Sequence, residues 1–288
     1  FNLNDHSLTY SQPIVNNAIF TITGGENGNG TLKSANSSVP TIRNTAVKNA
    51  ANATVNIKSG TIIGSCGAII SERTNTTNAY PVPELNITGG TIKTESTESV
   101  CNVIESQRSN INISNALITG QTEEANHTIK GIFAYLGGTI IMDSGVVDIA
   151  APIAYGFASQ YSTSMTVNIN DGTIKATSTP NATGYTATAA AYAMYSVLTV
   201  GKADGSTSPT FTAQYGYEAT GITNNSSLTE INNATITASD STNNSYGISG
   251  TAQKKIHNGT ITAISNKTAQ GVTSGSITFE DGTITATS

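Results

Sequence analysis

The chain has 288 residues and a net charge of −5, and only 11% of its residues are charged. The charge is spread along the chain with no basic patch, which argues against nucleic-acid binding. No apolar run approaches membrane-spanning length or reads as a signal peptide.

In chain order, residues 1–17 carry no repeat and are expected to form an N-terminal segment or an irregular cap. A recurring unit then runs from residue 18 to 288. Gly30-Thr31-Leu32 is its first weak copy. Val55-Asn56-Ile57 leads through a short turn into Gly60-Thr61-Ile62, and Leu85-Asn86-Ile87 leads in the same way into Gly90-Thr91-Ile92. Ala116-Leu117-Ile118 and Gly145-Val146-Val147 continue the series, and Val167-Asn168-Ile169 leads into Gly172-Thr173-Ile174. Pro209-Thr210-Phe211 is a degenerate copy, followed by Ala234-Thr235-Ile236, Gly259-Thr260-Ile261 and Gly282-Thr283-Ile284. The intervals run mostly from 23 to 30 residues, a period that signifies stacked units rather than one globular core.

Each unit holds short runs in which apolar and polar residues alternate, as in Val55-Asn56-Ile57. Alternation at period two puts the apolar set on one face of a strand. Val, Ile and Thr suit strands, and the intervening Gly, Asn and Ser suit turns. A coil of this length holds three short strands, and it buries its apolar face only when the next coil stacks on it about 4.8 Å away. An antiparallel sandwich also uses many short strands, but its hairpins would not return the same tripeptide once per period. The expected fold is therefore all-β, a right-handed parallel β-helix of about ten coils. Neither end shows a capping helix, so the chain reads as a segment of a longer protein.

These units, with the Ala-Tyr-Gly-Ile-like runs that follow some of them, resemble those of right-handed parallel β-helices. In particular they resemble the Thr- and Asn-rich passenger and stalk regions of large bacterial surface proteins and adhesins. The resemblance covers roughly residues 18 to 288 and is architectural, because pectate lyases, polygalacturonases and phage tailspikes share the fold. It implies an exported chain, at the cell surface or secreted. No catalytic signature of those enzymes is recognisable, and no catalytic residue, metal ligand or cofactor is assigned.

Several patterns nominate ligand-binding residues. The three arginines are Arg43, Arg73 and Arg108. Arg43 and Arg73 each follow a repeat glycine by thirteen residues, and Ile70-Ser71-Glu72-Arg73 looks equivalent to Glu105-Ser106-Gln107-Arg108. One arginine column on the first coils is expected. It would be either a solvated edge neutralised by Glu72 and Glu105 or a bidentate site for acidic sugars. Cys66 and Cys101 share this register, each seven residues before its arginine. In an exported chain they are expected within disulfide reach, with two stacked buried thiols as the other reading. Five extra residues around Glu95-Ser96-Thr97-Glu98 should bulge outward from that coil.

Ala154-Tyr155-Gly156-Phe157, Ala191-Tyr192-Ala193-Met194 and Ser245-Tyr246-Gly247-Ile248 suggest a tyrosine column. It would be either an outward platform for sugar rings or, because Tyr155 and Phe157 share parity, an interior aromatic stack unless a bend separates them. From Thr210-Phe211-Thr212 to Thr283-Ile284-Thr285, two rows of outward threonine are expected over four coils, resembling the grid of β-solenoid ice-binding proteins. Lys33, Lys93 and Lys175 break that grid in the earlier coils. His6, His127 and His257 lie far apart without metal-ligand spacing and read as isolated surface or turn residues. Asp143, Asp148, Asp171 and Glu280-Asp281 flank turns, and Asp before Gly is first of all turn chemistry.

The functional expectation is a surface-exposed or secreted adhesin or structural stalk contacting a glycan or a host or surface protein, with end-to-end contacts to flanking solenoid. The alternatives are a polysaccharide lyase or glycoside hydrolase of the same fold and, third, an ice-binding protein.

Overall fold

The computed structural model describes residues 1–77, 79–95, 98–160, 165–179, 187–193, 196–225 and 228–288. Among these residues there is no helix, and every strand pairing is parallel. The strands stack into three ladders that form a β-solenoid. The first ladder holds 11 strands, from Ser7–Tyr10 through Thr61–Gly64 and Thr91–Thr94 to Thr283–Thr287. The second runs from Ile14–Asn16 to Thr268–Val272, and the third from Ile19–Ile22 to Ile277–Phe279. Two long strands, Val100–Ile113 and Thr128–Met142, pass through both the second and third ladders. They turn the corner at Arg108 and Leu136, whose φ values of 50° and 66° bend the chain without breaking it.

The repeat places its apolar residues in vertical columns. Ile62 pairs with Ile92 and Ile92 with Ile118 in the first ladder, and the column continues to Phe211, Ile236 and Ile261. In the third ladder Ile57 pairs with Ile87 and Ile87 with Ile113. All of these side chains are buried, each contributing about 1.5–3 kcal/mol of apolar transfer free energy. The second ladder supplies the third wall, where bulky Phe157 stands over Ala191, so a large residue fills space that a small neighbour leaves.

Polar residues bind the coils at the corners. Asn86 Nδ2 donates to Asn56 Oδ1 at 3.0 Å and Asn112 Nδ2 to Asn86 Oδ1 at 2.8 Å, an outward amide ladder. At the corner between the second and third ladders, buried Asn44 donates to the carbonyls of Ala53 and Glu84, and Asn224 to those of Ser196 and Leu228. One coil after Asn224 the residue in its row is Gly250, and Lys254 takes over. Its fully buried Nζ donates to the carbonyls of Gly250 (2.5 Å), Ser274 (2.7 Å) and Ala252 (3.1 Å). Without such donors those carbonyls would be buried unpaired.

Residues 1–17, expected as a separate segment or cap, include Ser7–Tyr10 and Ile14–Asn16, the first strands of two ladders. Asn2 bridges Thr23, and the Phe1 ammonium donates to Thr21 O at 2.6 Å. At the opposite end Ile277, Phe279 and Ile284 continue the inward columns and are exposed.

Candidate functional site

The outward face of the second ladder carries most of the nominated side chains, and a glycine column shapes it. Gly131, Gly156, Gly221, Gly247 and Gly271 occupy one register position. There the chain presses so closely on the first ladder that a Cβ at Gly156 would lie 2.3 Å from Ile174 Cγ2 and 2.8 Å from Ala190 O. The strand bends at this point, and both Gly156 and Phe157 face inward. Tyr155 therefore faces out although it shares parity with Phe157, and the outward platform replaces the interior aromatic stack at this position.

The tyrosines do not form one column, which corrects the expectation. Tyr155 pairs with Ala189, which pairs with Thr220, which pairs with Tyr246. Tyr192 stands three positions further along its strand, opposite Ala158 and Thr223. Ala154 pairs with Thr188, so the Ala-Tyr match at Ala191-Tyr192 falls three positions out of register. Tyr246 lies three coil steps from Tyr155, roughly 14 Å along the stack. Met194 lies outside the described residues.

The true outward row instead reads Glu105, Phe133, Ala158, Tyr192 in successive coils. The parallel row reads Asn102, Lys130, Tyr155, Ala189. Together they form an open depression of ≈ 270 Å³ with Ala158 at its floor and Lys130, Phe133, Tyr155, Tyr192 and Gln160 around it. Ala158 is only 3% exposed although it faces outward, because the rings around it cover it. The Tyr155 and Tyr192 ring centroids are 5.4 Å apart, and Phe133 stacks on Tyr135 at the same distance. Lys130 Nζ sits 4.0 Å from the centre of the Phe133 ring. Burial lowers the Lys130 pKa from its ordinary value, against the opposing pull of Glu105. Tyr135 OH donates to Glu105 Oε1 at 3.1 Å, and its phenol pKa is pushed up to about 12, first by burial and then by that carboxylate. Sequence motifs had singled out neither Lys130 nor Phe133; the available signal was the alignment of Gly131 with Gly156.

The arginines separate into two groups, a second correction. Arg73 lies over Arg108 in the register of Ser71 with Ser106, and Arg108 Nη1 donates to Arg73 O at 3.4 Å. Arg43 instead pairs with Ile70, three positions earlier. The link between ladders is seven residues in its coil (35–41) and four in the next (65–68), so equal counting from the glycines misplaced it. Arg43 Nη1 donates to Glu72 Oε1 at 2.7 Å, and Arg73 Nη2 donates to Thr77 O at 2.7 Å. These guanidinium groups brace the ladder edge and its loop.

Cys66 and Cys101 form a disulfide, with Cα atoms 4.9 Å apart. A second open depression of ≈ 290 Å³ lies beside it, lined by residues including Ser37, Pro40, Ile70 and Glu105. Of the expected bulge, Glu95 and Glu98 are exposed, while Ser96 and Thr97 lie outside the described residues. Glu95 draws in both neighbouring lysines, with Lys33 Nζ and Lys93 Nζ each 2.7 Å from one of its oxygens. That pairing spans outward Ile63, which is 8% exposed.

The threonine rows are present. Thr210, Thr235, Thr260 and Thr283 pair in succession, as do Thr212, Thr237, Thr262 and Thr285. His257 is not isolated as expected. Nδ1 lies 2.9 Å from Glu280 Oε2 and Nε2 lies 3.1 Å from Glu230 Oε1, because stacking brings carboxylates from the coils above and below to one ring. The turn carboxylates serve their turns. Asp171 Oδ1 accepts from Gly172 N, Asp281 Oδ1 from Gly282 N, and Asp143 Oδ1 from Asn170 Nδ2. Among the described residues no cluster of His, Cys, Asp and Glu could hold a metal ion, and no helix is long and apolar enough to cross a membrane. No protein-family profile, curated protein or solved structure matches the chain.

Proposed function

We propose that this solenoid is the rod of an exported, surface-exposed bacterial protein, acting as an adhesin or stalk, and that it grips glycans at the aromatic depression of its second ladder. The observation that carries the reading is the grouping of Phe133, Tyr155 and Tyr192 around small Ala158 on the outward face of the second ladder. Aromatic faces suit the apolar C–H faces of sugar rings, and the Gln160 amide beside them can meet hydroxyl groups as donor or acceptor. The parallel stack gives such a site a stiff mount.

A glycan array probed with the chain and with its Tyr155→Ala and Tyr192→Ala variants tests the reading. The expected result is binding to a defined set of sugars that falls in both variants. Binding to no sugar, or binding that both variants retain in full, would overturn it. Turnover of a polysaccharide into reducing ends or unsaturated products would replace the adhesin with an enzyme of the same fold.

A further inference from the structure

Lys130 differs from Lys33, Lys93, Lys175 and Lys254, which also lie on ladder strands. Lys33 and Lys93 share Glu95, Lys175 lies 4.0 Å from Asp148, and Lys254 is hydrogen-bonded to three carbonyls. The Lys130 ammonium is half-buried against the Phe133 ring, and among the described residues it has no hydrogen-bond or ion-pair partner. An ammonium carries three donors and no acceptor. Its nearest acidic neighbour, Glu105, uses its two oxygens elsewhere: Oε2 accepts from Asn102 Nδ2 at 2.9 Å and Oε1 from Tyr135 OH at 3.1 Å. Glu105 also stands on the coil before Lys130, whereas Ala158 and the Tyr155 and Tyr192 rings lie on the coils after it.

We propose that the depression is a subsite for an acidic sugar residue, with the sugar ring lying against Tyr155 and Tyr192 and its carboxylate accepting from Lys130 Nζ. The assignment rests on the glycan-binding reading above and narrows it to a class. Two features select that class. The aromatic walls call for a ligand with an apolar face, and the unspent ammonium calls for an anionic acceptor. Phe133 and Tyr192 stand two coil steps apart, roughly 9.6 Å, with only Ala158 between them. A uronate residue supplies both features in one unit.

Calorimetric titration of the unmodified protein with a uronate oligosaccharide and with its carboxyl-reduced counterpart tests the class directly. The expected result is that the uronate binds and that carboxyl reduction weakens it by roughly tenfold or more, the usual weight of a charge-assisted hydrogen bond. Added salt should weaken the uronate alone. Lys130→Met keeps an apolar stem over Phe133 and should erase the difference between the two probes. Tyr192→Ala should weaken both. Equal binding of the two probes by the unmodified protein would overturn the acidic assignment and leave the glycan reading standing. Binding of neither would overturn the acidic assignment, and the glycan array then decides the glycan reading on its own. Thermal midpoints check that the variants fold, and the comparison on the unmodified protein decides the matter even where one does not.

Discussion

Tyr155 and Tyr192 hold their rings 5.4 Å apart although three strand positions separate their rows. The contact is diagonal, across the ladder, and two small neighbours permit it. The residue directly over Tyr155 is Ala189, and the residue directly under Tyr192 is Ala158. A tyrosine in register at either place would have made a simple stack and closed the depression. The open space thus follows from where the alanines fall as much as from where the rings do.

Ala158→Phe should therefore abolish sugar binding without unfolding the chain. The new ring would rise from the floor between Phe133 and Tyr192, on the outward side, and would push aside the rings that now cover Ala158. The expected outcome is a loss of roughly tenfold or more in affinity, the weight of a lost aromatic contact and its buried area. Displacing the covering rings should lower stability by about 1–3 kcal/mol, a cost the chain can bear without unfolding. Calorimetry and a melting curve on the same sample would check both.

Gly156→Ala should cost more stability than its size suggests. The added methyl would sit 2.3 Å from Ile174 Cγ2 and 2.8 Å from a backbone carbonyl that cannot rotate away. Overpacking of this kind costs about 1–3 kcal/mol. Gly247→Ala, which meets Ile261 Cγ2 and Gly271 O, should behave the same way. A denaturation midpoint unchanged in both variants would mean that the two ladders are not packed this tightly.

The first and third ladders were the legible part of the chain. Gly-Thr-Ile and Val-Asn-Ile each mark one inward column per coil, because a residue that must be buried against its copy above and below recurs at a fixed place. The second ladder was harder to read. Its connectors differ by three residues between the coils of Arg43 and Arg73, and its bends are made by glycines that add no apolar signal. Arg43 was misplaced by three positions through the connector difference, and Tyr192 by three through an Ala-Tyr match that the register does not use. The groupings of Lys33 with Glu95 and of His257 with Glu230 and Glu280 exist only through stacking, since their members lie 62, 27 and 23 residues apart.

Reduction of the Cys66–Cys101 bridge should loosen the early coils. The bridge closes a loop with a sequence separation of 35, for which the chain-entropy argument assigns roughly 3–4 kcal/mol. Melting curves with and without reductant, and of Cys66→Ser with Cys101→Ser, should show the same downward shift. A shift on reduction that persists in the double variant would have to arise elsewhere.

Position along the rod should decide the cost of a core charge. Ile92 is fully buried between Ile62 and Ile118, so Ile92→Asp places an unpaired carboxylate in the interior and should destabilise by several kcal/mol, roughly 3–5. Ile284 continues the same column but is 42% exposed at the last strand. Ile284→Asp should therefore cost much less. Equal losses in urea unfolding would contradict this placement of the two side chains.

The His257 cluster should make the last coils sensitive to pH. Hydrogen bonds to Glu280 and then to Glu230 raise the imidazole pKa above its ordinary value near 6.5. A group whose folded-state pKa exceeds its unfolded value binds more protons when folded. Its stabilisation is therefore fully present below about 6.5 and is lost as pH rises through the folded value. Nuclear magnetic resonance of the His257 ring should give a pKa above 6.5, and Glu280→Gln should lower it more than Glu230→Gln does. The thermal midpoint should fall as pH is raised through this range, and His257→Gln should remove that part of the fall. An imidazole titrating at or below its ordinary value would mean that the two carboxylates do not hold the ring in solution.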